Sequence, residues 1–377
     1  MTDPSPDIVV AGLICLDIIL PFDGYKGDLS QLVRPGKAVN VGAAIISTGG
    51  AVANTGLALH QLGISTRLIG KIGQDHFGET ILDILQKHGS DLTEKMIVSK
   101  EDSTSYSIVI SPPGMDRSFL YNPGANDTFR ATDISPETLE GARYFHFGYP
   151  SEMQMIYADG GEGLAQLLSE IKQVGLTTSL DMSYPDVSSE AGMTDWRAWM
   201  KTVLPHVDIF LPSYDEILLM MDRPLFEQMD KQGTVIISKE LLLSLSQELL
   251  EMGAGIVVLK LGDQGLFMQT TDDPERLSQM GKGRPAHIDR WTNQRLMSPC
   301  FQANVAGTTG AGDCTIAGFL AAMNKGMSPE EVMIMATAVG GFSVEQADAS
   351  SGVPQWEVVC QRIEDGWPRM SSYLSLD

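Results

Sequence analysis

Basic residues are scarce in this 377-residue chain. It contains 26 lysines and arginines against 48 aspartates and glutamates, which gives a formal net charge of −22 at pH 7. Proteins that bind nucleic-acid phosphates or anionic lipid head groups need clustered Lys and Arg side chains. The charge therefore excludes nucleic acids and membrane surfaces from the partners that we expect.

Metal-binding, redox and membrane-spanning patterns are also missing. The 4 cysteines form no C-x-x-C pair and the 6 histidines show no H-x-x-x-H spacing, so the sequence indicates neither a zinc site nor a redox dithiol. No apolar run approaches the roughly 18 residues of a membrane-spanning helix, and the N-terminus lacks the segments of an export signal. We therefore expect a protein of a reducing, cytoplasmic compartment.

The remaining composition is that of a folded chain, with 43% hydrophobic and 20% charged residues. Disordered chains have too little apolar surface to offset the entropy of ordering. Single hydrophobic cores stop growing at about 250 to 300 residues. We therefore expect one main body with an appendage.

Short aliphatic runs alternate with longer amphipathic segments along most of the chain. The predicted strands are Ile8–Leu13, Thr66–Ile72, Arg143–Phe147, Thr177–Asp181, Ile209–Leu211 and Gly255–Leu259. The predicted helices are Val52–Leu62, Phe77–His88, Gly163–Val174 and Leu241–Met252. This alternation predicts an α/β fold whose mainly parallel sheet is covered by helices on both faces.

Two segments, 18–48 and 104–121, interrupt this alternation. Their β-prone pieces are Ala38–Val41, Ala43–Ile46, Tyr106–Ser111 and Ser118–Tyr121. We predict that both segments form a small β-sheet appended to a body made of residues 1–17, 49–103 and 122–377; the alternative is two unrelated surface loops. The polar segment Asp272–Pro299 is predicted to be an exposed insertion.

The most informative segment is a glycine loop, Gly307-Thr308-Thr309-Gly310-Ala311-Gly312-Asp313. Apolar residues follow it at helical spacing, so the loop opens a helix, where unpaired N–H groups and the helix dipole favour an anion. A P-loop would need Lys and Ser or Thr where Asp313 and Cys314 stand, and a dinucleotide fingerprint would follow the first strand. The loop therefore predicts an anion site of another kind.

Asp313 adds a carboxylate to this anion site. Such a carboxylate can accept a proton from a substrate hydroxyl while backbone amides hold the charge that develops on a phosphoryl group. The alternative is that Asp313 only caps its helix. The residues alone leave both interpretations open.

Seven further motifs precede the loop in chain order. They are Gly12–Asp17, Gly49–Asn54, Gly70–Gly78, Gly124–Asn126, Leu180–Asp181, Pro212–Glu216 and Lys260–Gly265. With the loop, they resemble the pfkB family of ribokinase-like carbohydrate kinases over about Ile8 to Val358. The resemblance implies a three-layer α/β/α body with a small β-sheet lid, and ATP-dependent phosphorylation of a hydroxymethyl group on a sugar or nucleoside.

The resemblance also implies roles for single residues. Asp313 would be the base that takes the acceptor's proton, and the amides of Gly310, Ala311 and Gly312 would hold the transferring phosphoryl group. The acceptor would be bound by Asp17, Gly49, Gly50 and Asn54. The nucleotide would be bound by Lys260, Gly262 and Gly265, and Glu216 would be tied to Mg²⁺ through waters.

Simpler interpretations of these residues exist. Gly49 and Gly50 are also what a turn before a helix needs, backbone amides could cap Asp17, and Lys260 could be a solvated strand end. Three positions depart from the family pattern: Gly307 replaces an Asp linked to monovalent-cation binding, Ser213 replaces an Asn of the magnesium network, and Thr315 stands where Phe is common.

The expected function is therefore a sugar kinase of the ribokinase or fructokinase type that uses ATP and Mg²⁺. The alternatives are a nucleoside kinase of the same family and a catalytically weakened sugar- or nucleotide-sensing protein; a dinucleotide oxidoreductase is a third. Arg34, Lys37 and Arg117 in the lid segments could bind a phosphorylated sugar or be solvated lid surface. The resemblance further implies a homodimer formed through the lid.

Overall fold

The computed structural model describes residues 6–22, 25, 35–36, 38–110, 118–231, 236–371 and 374. The β-strands are β1 Ile8–Gly12, β2 Cys15–Leu20, β3 Ile45–Gly49, β4 Thr66–Ile69, β5 Lys71–Gly73, β6 Ile97–Ser99, β7 Tyr106–Ile110, β8 Ser118–Asn122, β9 Tyr144–Gly148, β10 Thr177–Leu180, β11 Ile209–Phe210, β12 Ile256–Lys260, β13 Leu266–Thr270 and β14 Arg295–Ser298. The α-helices are α1 Ala51–Gln61, α2 His76–His88, α3 Gln154–Tyr157, α4 Glu162–Gln173, α5 Glu190–Met193, α6 Trp196–Val203, α7 Tyr214–Met221, α8 Arg223–Asp230, α9 Lys239–Glu251, α10 Pro274–Ser278, α11 Ile288–Trp291, α12 Ala311–Asn324, α13 Pro329–Ser343 and α14 Trp356–Glu364.

The main sheet has eight strands in the order β14-β13-β12-β11-β10-β9-β1-β4. The six strands from β12 to β4 run parallel, and β13 and β14 complete one edge in antiparallel fashion. Alternate side chains of β1 enter two separate cores, Val9 on the side of α4 and α9 and Val10 on the side of α1 and α12. Burial on both faces explains why these strands read as continuous apolar runs.

A second, four-stranded sheet has the order β3-β2-β7-β8. Its strands β7 and β8 lie where the predicted pair does. The predicted piece Ala38–Val41 is not a strand; the structure has β3 at Ile45–Gly49 instead. Strand β2 ends at Leu20 before Pro21, which has no N–H to continue the ladder, and beyond Ile45 the Gly42 N–H donates to the Pro21 carbonyl at 2.9 Å without forming a strand. The limits 18–48 and 104–121 for the lid stay a prediction.

The segment Asp272–Pro299 is not the exposed insertion that its composition predicts. It forms α10, α11 and the edge strand β14, and Trp291 is buried in the core. Its polar character is misleading because Arg276 is paired internally, donating to the Asp208 carboxylate at 2.7 Å and to the Val207 carbonyl at 2.7 Å. The prediction was therefore wrong for this segment.

The predicted strand Thr66–Ile72 is divided into two short strands. Strand β4 belongs to the main sheet, whereas β5 pairs with β6 in a separate two-stranded sheet. Gly70 separates them, and a Cβ at this position would lie 2.7 Å from Ile14 Cγ2. No helix in the described part of the chain has the length and apolarity needed to cross a membrane.

Candidate active site

The candidate site lies at the carboxyl edge of the main sheet, the edge at which α/β proteins bind ligands. Tyr149 directly follows β9, Asp181 directly follows β10, and Lys260 is the last residue of β12. Helix α12 begins at this edge and contributes Asp313 from its first turn. Four segments that are distant in the sequence thus place polar side chains at one point.

Asp313 is almost fully buried, with 2% of its surface exposed. Its Oδ2 accepts hydrogen bonds from Asn54 Nδ2 at 3.0 Å and from the Tyr149 hydroxyl at 2.8 Å, and Thr55 Oγ1 lies 3.3 Å from Oδ1. Burial raises the pKa of Asp313, although the Lys260 charge and these donors act in the opposite direction. These bonds lead to other elements, so the carboxylate does not act as a cap of α12.

The glycine loop presents backbone amides beside this carboxylate. Gly310 caps α12 in the left-handed region with φ 67°, and a Cβ there would clash with Ala349. The Ala311 N–H, which was predicted to hold the phosphoryl group, donates instead to the Thr308 carbonyl at 3.3 Å. Among the described residues, the N–H groups of Gly312 and Asp313 have no acceptor, so the start of α12 can hold an anion.

A substituent at the first position of the loop would be crowded. A Cβ at Gly307 would lie 3.0 Å from the carbonyl oxygens of Gln346 and Ala347. An aspartate there would require this backbone to shift by a few tenths of an ångström, which gives a physical reason for the departure from the family pattern.

Lys260 adds a positive charge at the same place. A Cβ built on Gly312 would lie 3.5 Å from Lys260 Nζ, so the ammonium group is next to the start of α12. Lys260 Nζ also donates to Asp181 Oδ1 at 2.7 Å, and the Asp181 side chain is fully buried. Lys260 is therefore not a solvated strand end.

A cluster of carboxylates surrounds Lys260. Burial alone would lower the pKa of Lys260, but the charges of Asp181, Glu216 and Asp313 raise it. Burial in turn raises the pKa of Asp181 to about 6 and that of Glu216 to about 8. Asp181 Oδ2 is buried and has no hydrogen-bond partner among the described residues.

Glu216 and Ser213 form the N-terminal capping box of α7. Glu216 Oε2 accepts a hydrogen bond from the Ser213 N–H at 2.8 Å. Ser213 also forms a β-bridge with Lys260, which brings this helix terminus to the carboxyl end of β12. The serine thus keeps the capping role that an asparagine could serve at the same position.

The residues predicted to bind the acceptor lie on β2, on β3 and at the start of α1. The Asp17 carboxylate is buried on β2, and a Cβ at Gly49 on β3 would clash with it. Gly50, with φ 84°, caps α1, so the glycine pair also forms the turn before a helix. Asn54 extends from α1 to Asp313. Helix α1 therefore connects the Asp17 region with the proposed base.

A polar row crosses the small sheet beside Asp17. Strand pairing places Ser47 and Ser107 opposite Asp17 and places Tyr121 opposite Ser107. These four residues share one face of the sheet, because neighbours across a ladder point the same way.

The two glycines on the predicted nucleotide side lie in the turn between β12 and β13. Gly262 and Gly265 both have positive φ, 59° and 94°, and a Cβ at Gly265 would clash with the Ser298 carbonyl. The turn follows Lys260 directly, so it is adjacent to the charged cluster. Arg34, Lys37 and Arg117 lie outside the described residues.

Comparison with known proteins assigns this geometry to a family. The family model described as pfkB family carbohydrate kinase matches residues 6–356. The chain belongs to the pfkB family of carbohydrate kinases. The resemblance and the enzyme class expected from the motifs are confirmed.

Relatives of this pfkB-family chain include named sugar kinases. It is 25% identical over 294 residues to an uncharacterized sugar kinase of Archaeoglobus fulgidus, which covers 78% of this chain and 97% of the relative. It is 24% identical over 368 residues to the probable fructokinase-5 of Arabidopsis thaliana; the match covers 93% of this chain and 95% of that relative. The structure of Arabidopsis thaliana ribokinase complexed with ribose and ATP matches with a TM-score of 0.70 at 19% identity. The match covers 95% of this chain and 98% of the ribokinase chain. The ribokinase-like α/β fold is thereby confirmed.

Sequence reasoning about this pfkB-family chain missed four residues of the site. It gave no role to Thr55, Tyr149 or Asp181, and it did not single out His146. The His146 side chain is fully buried on β9; its Nδ1 lies 2.8 Å from Ser179 Oγ, and its Nε2 has no partner among the described residues. Burial, with the Lys260 charge, lowers its pKa to about 3. Tyr149 lies just beyond the predicted strand Arg143–Phe147 and Asp181 ends the predicted strand Thr177–Asp181; this position at the carboxyl end of a strand is the signal that could have identified them.

Proposed function

We propose that this pfkB-family protein transfers the γ-phosphoryl group of ATP to a hydroxymethyl group of an unphosphorylated sugar. The observation that carries the proposal is the meeting of a buried carboxylate, Asp313, with the amide-bearing start of α12 and the Lys260 ammonium. A base and an anion site must be adjacent for phosphoryl transfer to a hydroxyl group. The matched Arabidopsis ribokinase, whose structure is a complex with ribose and ATP, agrees with this assignment.

The transfer itself needs positioning and charge stabilisation more than covalent chemistry. Asp313 accepts the proton of the acceptor's hydroxyl group while the hydroxyl oxygen bonds to the γ-phosphorus. The bond between that phosphorus and the bridging oxygen of ADP breaks. The N–H groups of Gly312 and Asp313, with the Lys260 ammonium, stabilise the charge on the transferring group. The negative net charge of the protein gives ATP no general attraction, so these local groups have to provide it.

The residues present also suit a magnesium ion that arrives with ATP. Mg²⁺ is usually held by one or two carboxylates together with phosphate oxygens and waters. Asp181, whose buried Oδ2 has no partner among the described residues, and Glu216 provide such carboxylates. When bound, the ion neutralises phosphate charge.

The charges near Asp17 favour an uncharged acceptor over a phosphorylated one. Burial, followed by the charges of Asp17 and Glu152, raises the pKa of the Cys15 thiol, and burial with the Glu152 charge raises that of Tyr121. Two carboxylates thus act on this region, where they would repel a second phosphate. The polar row of Ser47, Asp17, Ser107 and Tyr121 offers hydrogen-bonding groups for sugar hydroxyls.

A nucleoside is the second candidate acceptor. Phe119 and Ile45 lie two residues along their strands from Tyr121 and Ser47, hence on the same face of the small sheet. Both are exposed, at 50% and 44%. They extend the polar row with apolar surface of the kind that a nucleobase contacts.

We also propose that the protein is a homodimer formed through the small sheet. The face opposite Asp17 carries a cross-strand row of Ile46, Ile18, Ile108 and Leu120. Ile46 and Leu120 are exposed at 45% and 59%, and contact with a second copy would remove this apolar row from water. The cytoplasmic location stays a prediction.

The proposal is tested by following ATP consumption with Mg²⁺ over a panel containing ribose, fructose, adenosine and inosine. Asp313→Asn should reduce turnover at least about a thousandfold while nucleotide still binds. Asp83→Asn, an exposed change on α2, is the matched control. Binding of a sugar without turnover on any acceptor would favour the sensing alternative.

A further inference from the structure

Tyr149 has an unusual backbone conformation directly beside the proposed base. It lies in the left-handed region with φ 66°, a conformation that side chains with a Cβ rarely adopt. The next residue is Pro150, which further disfavours helical backbone at the position before it. Such strain persists only where surrounding structure enforces it, and it clusters at functional sites.

Contacts of the following turn hold Tyr149 in this conformation. The 3₁₀ turn Pro150–Glu152 begins directly after it. Ser151 Oγ donates to the Ser183 carbonyl at 2.7 Å, and the Ser183 N–H donates to Ser151 Oγ at 3.0 Å. This reciprocal pair attaches the turn to the segment after β10 and directs the Tyr149 ring towards α12.

The two oxygens of Asp313 have unequal surroundings. Oδ2 accepts two hydrogen bonds of ordinary length, from Asn54 Nδ2 at 3.0 Å and from the Tyr149 hydroxyl at 2.8 Å. Oδ1 lies 3.3 Å from Thr55 Oγ1, whose one proton is shared with the Asp313 carbonyl at 3.4 Å. Oδ1 is therefore the oxygen with lone pairs left for an incoming hydroxyl group.

We propose that Tyr149 is a positioning residue. Its hydroxyl donates a hydrogen bond to Asp313 Oδ2, which orients Oδ1 towards the acceptor and keeps the carboxylate charged. This inference rests on the proposed kinase function. A hydrogen bond donated to a carboxylate favours the charged form, so it offsets part of the effect of burial on Asp313. Asn54 shares this task from α1.

The other charged groups around Asp313 stay in place when Tyr149 is changed. Besides each other, the titratable groups that act on Asp313 or on Tyr149 are Lys260 on β12, Asp181 after β10, Glu216 on α7 and Cys314 on α12. Tyr149→Phe removes one hydroxyl group and leaves the other four groups. A change in the titration of Asp313 can then be assigned to the lost hydrogen bond.

The test is the pH profile of phosphoryl transfer in Tyr149→Phe. Losing a donor to the charged form raises the pKa of Asp313, and the reaction needs the ionised carboxylate. The acid limb of kcat should therefore move to higher pH by about one unit, with the KM for ATP unchanged. Tyr144→Phe is the matched control: it removes a buried hydrogen bond to the Gly283 carbonyl from the opposite end of β9 and should leave the acid limb in place.

A second measurement separates this inference from the kinase proposal. The Asp313 carboxyl carbon is titrated by NMR in ¹³C-aspartate-labelled protein and assigned by its absence in Asp313→Asn. A raised pKa in Tyr149→Phe supports the hydrogen-bond role even if the wild type phosphorylates nothing, which would overturn the kinase function alone. An active wild type whose acid limb and carboxyl titration both match those of Tyr149→Phe would overturn the inference.

Discussion

The two sides of the proposed reaction site are built in opposite ways. On the main-sheet side, Asp313, Asp181 and His146 are buried and Lys260 is half-buried; Lys260 pairs with Asp181, while Asp313 and His146 are hydrogen-bonded to Asn54 and Ser179. On the small-sheet side, Asp17 and Ser107 are buried, whereas Ser47 and Tyr121 are half-buried and the apolar Phe119 is exposed. If the proposed function holds, the main sheet would supply the chemistry, because a dry environment strengthens the interactions between charges. The more exposed small sheet would select the acceptor.

After Asp313→Asn, the largest effect is expected from Lys260→Met on the main-sheet side. The change leaves Asp181 buried without its partner and removes positive charge next to Asp313. Breaking a buried ion pair costs about 3–5 kcal/mol of the free energy of unfolding, and we expect turnover to fall more than about a hundredfold. Denaturant unfolding and the ATP assay measure the two effects.

Lys172→Met is the control for this variant. Lys172 pairs with the buried Asp208 away from the site, and Arg276 also contacts that carboxylate. Loss of the ion pair between Lys172 and Asp208 should lower the free energy of unfolding without a comparable loss of turnover. Wild-type turnover in Lys260→Met would contradict the assignment of the chemistry to the main-sheet side.

The next effect concerns pH and the buried His146. Its pKa is lowered to about 3 in the folded protein, whereas a histidine in the unfolded chain has a pKa of about 6.5. The unfolded chain therefore binds the proton more readily, and the contribution of His146 to the free energy of unfolding is lost as the pH falls below about 6.5. At pH 5 the loss is about 2 kcal/mol.

The measurement for His146 is denaturant unfolding at pH 7 and pH 5 for the wild type and His146→Gln. The variant cannot titrate there, so the difference between the two proteins should shrink by about 2 kcal/mol at the lower pH. Asp181 and Glu216 have raised pKa values and act with the opposite sign, but they are present in both proteins. An unchanged difference would show that His146 is not held neutral by burial.

On the small-sheet side, Gly49→Ala should act on the acceptor alone. The added Cβ would clash with the Asp17 carboxylate and displace it. We expect the KM for the acceptor to rise about tenfold, which corresponds to about 1.4 kcal/mol. The KM for ATP is the internal control, and an equal rise in both constants would contradict the division between the two sides.

The same contrast explains how much the sequence alone could predict. Strands buried on both faces give continuous apolar runs, so the main sheet was recognisable, and the helix pattern after Gly312 located Asp313. Tyr149 was missed because its contact joins residues 164 positions apart through a left-handed turn. The segment Asp272–Pro299 was misjudged because composition does not reveal that Arg276 pairs with Asp208 and Val207 or that Trp291 enters the core.

Leu120→Lys should have the smallest effect on the free energy of unfolding. It should also separate the roles of the two faces of the small sheet most clearly. Leu120 is exposed on the apolar row opposite Asp17, so the substitution should change the free energy of unfolding of the chain by no more than about 0.5 kcal/mol. A charge in a dimer contact is costly, so light scattering at micromolar concentration should show the monomer mass for the variant and twice that mass for the wild type. Phe119→Lys, one residue away on the other face, should keep the dimer and weaken acceptor binding instead. A wild type that is already monomeric would contradict the dimer, and loss of the dimer in both variants would contradict the assignment of separate tasks to the two faces.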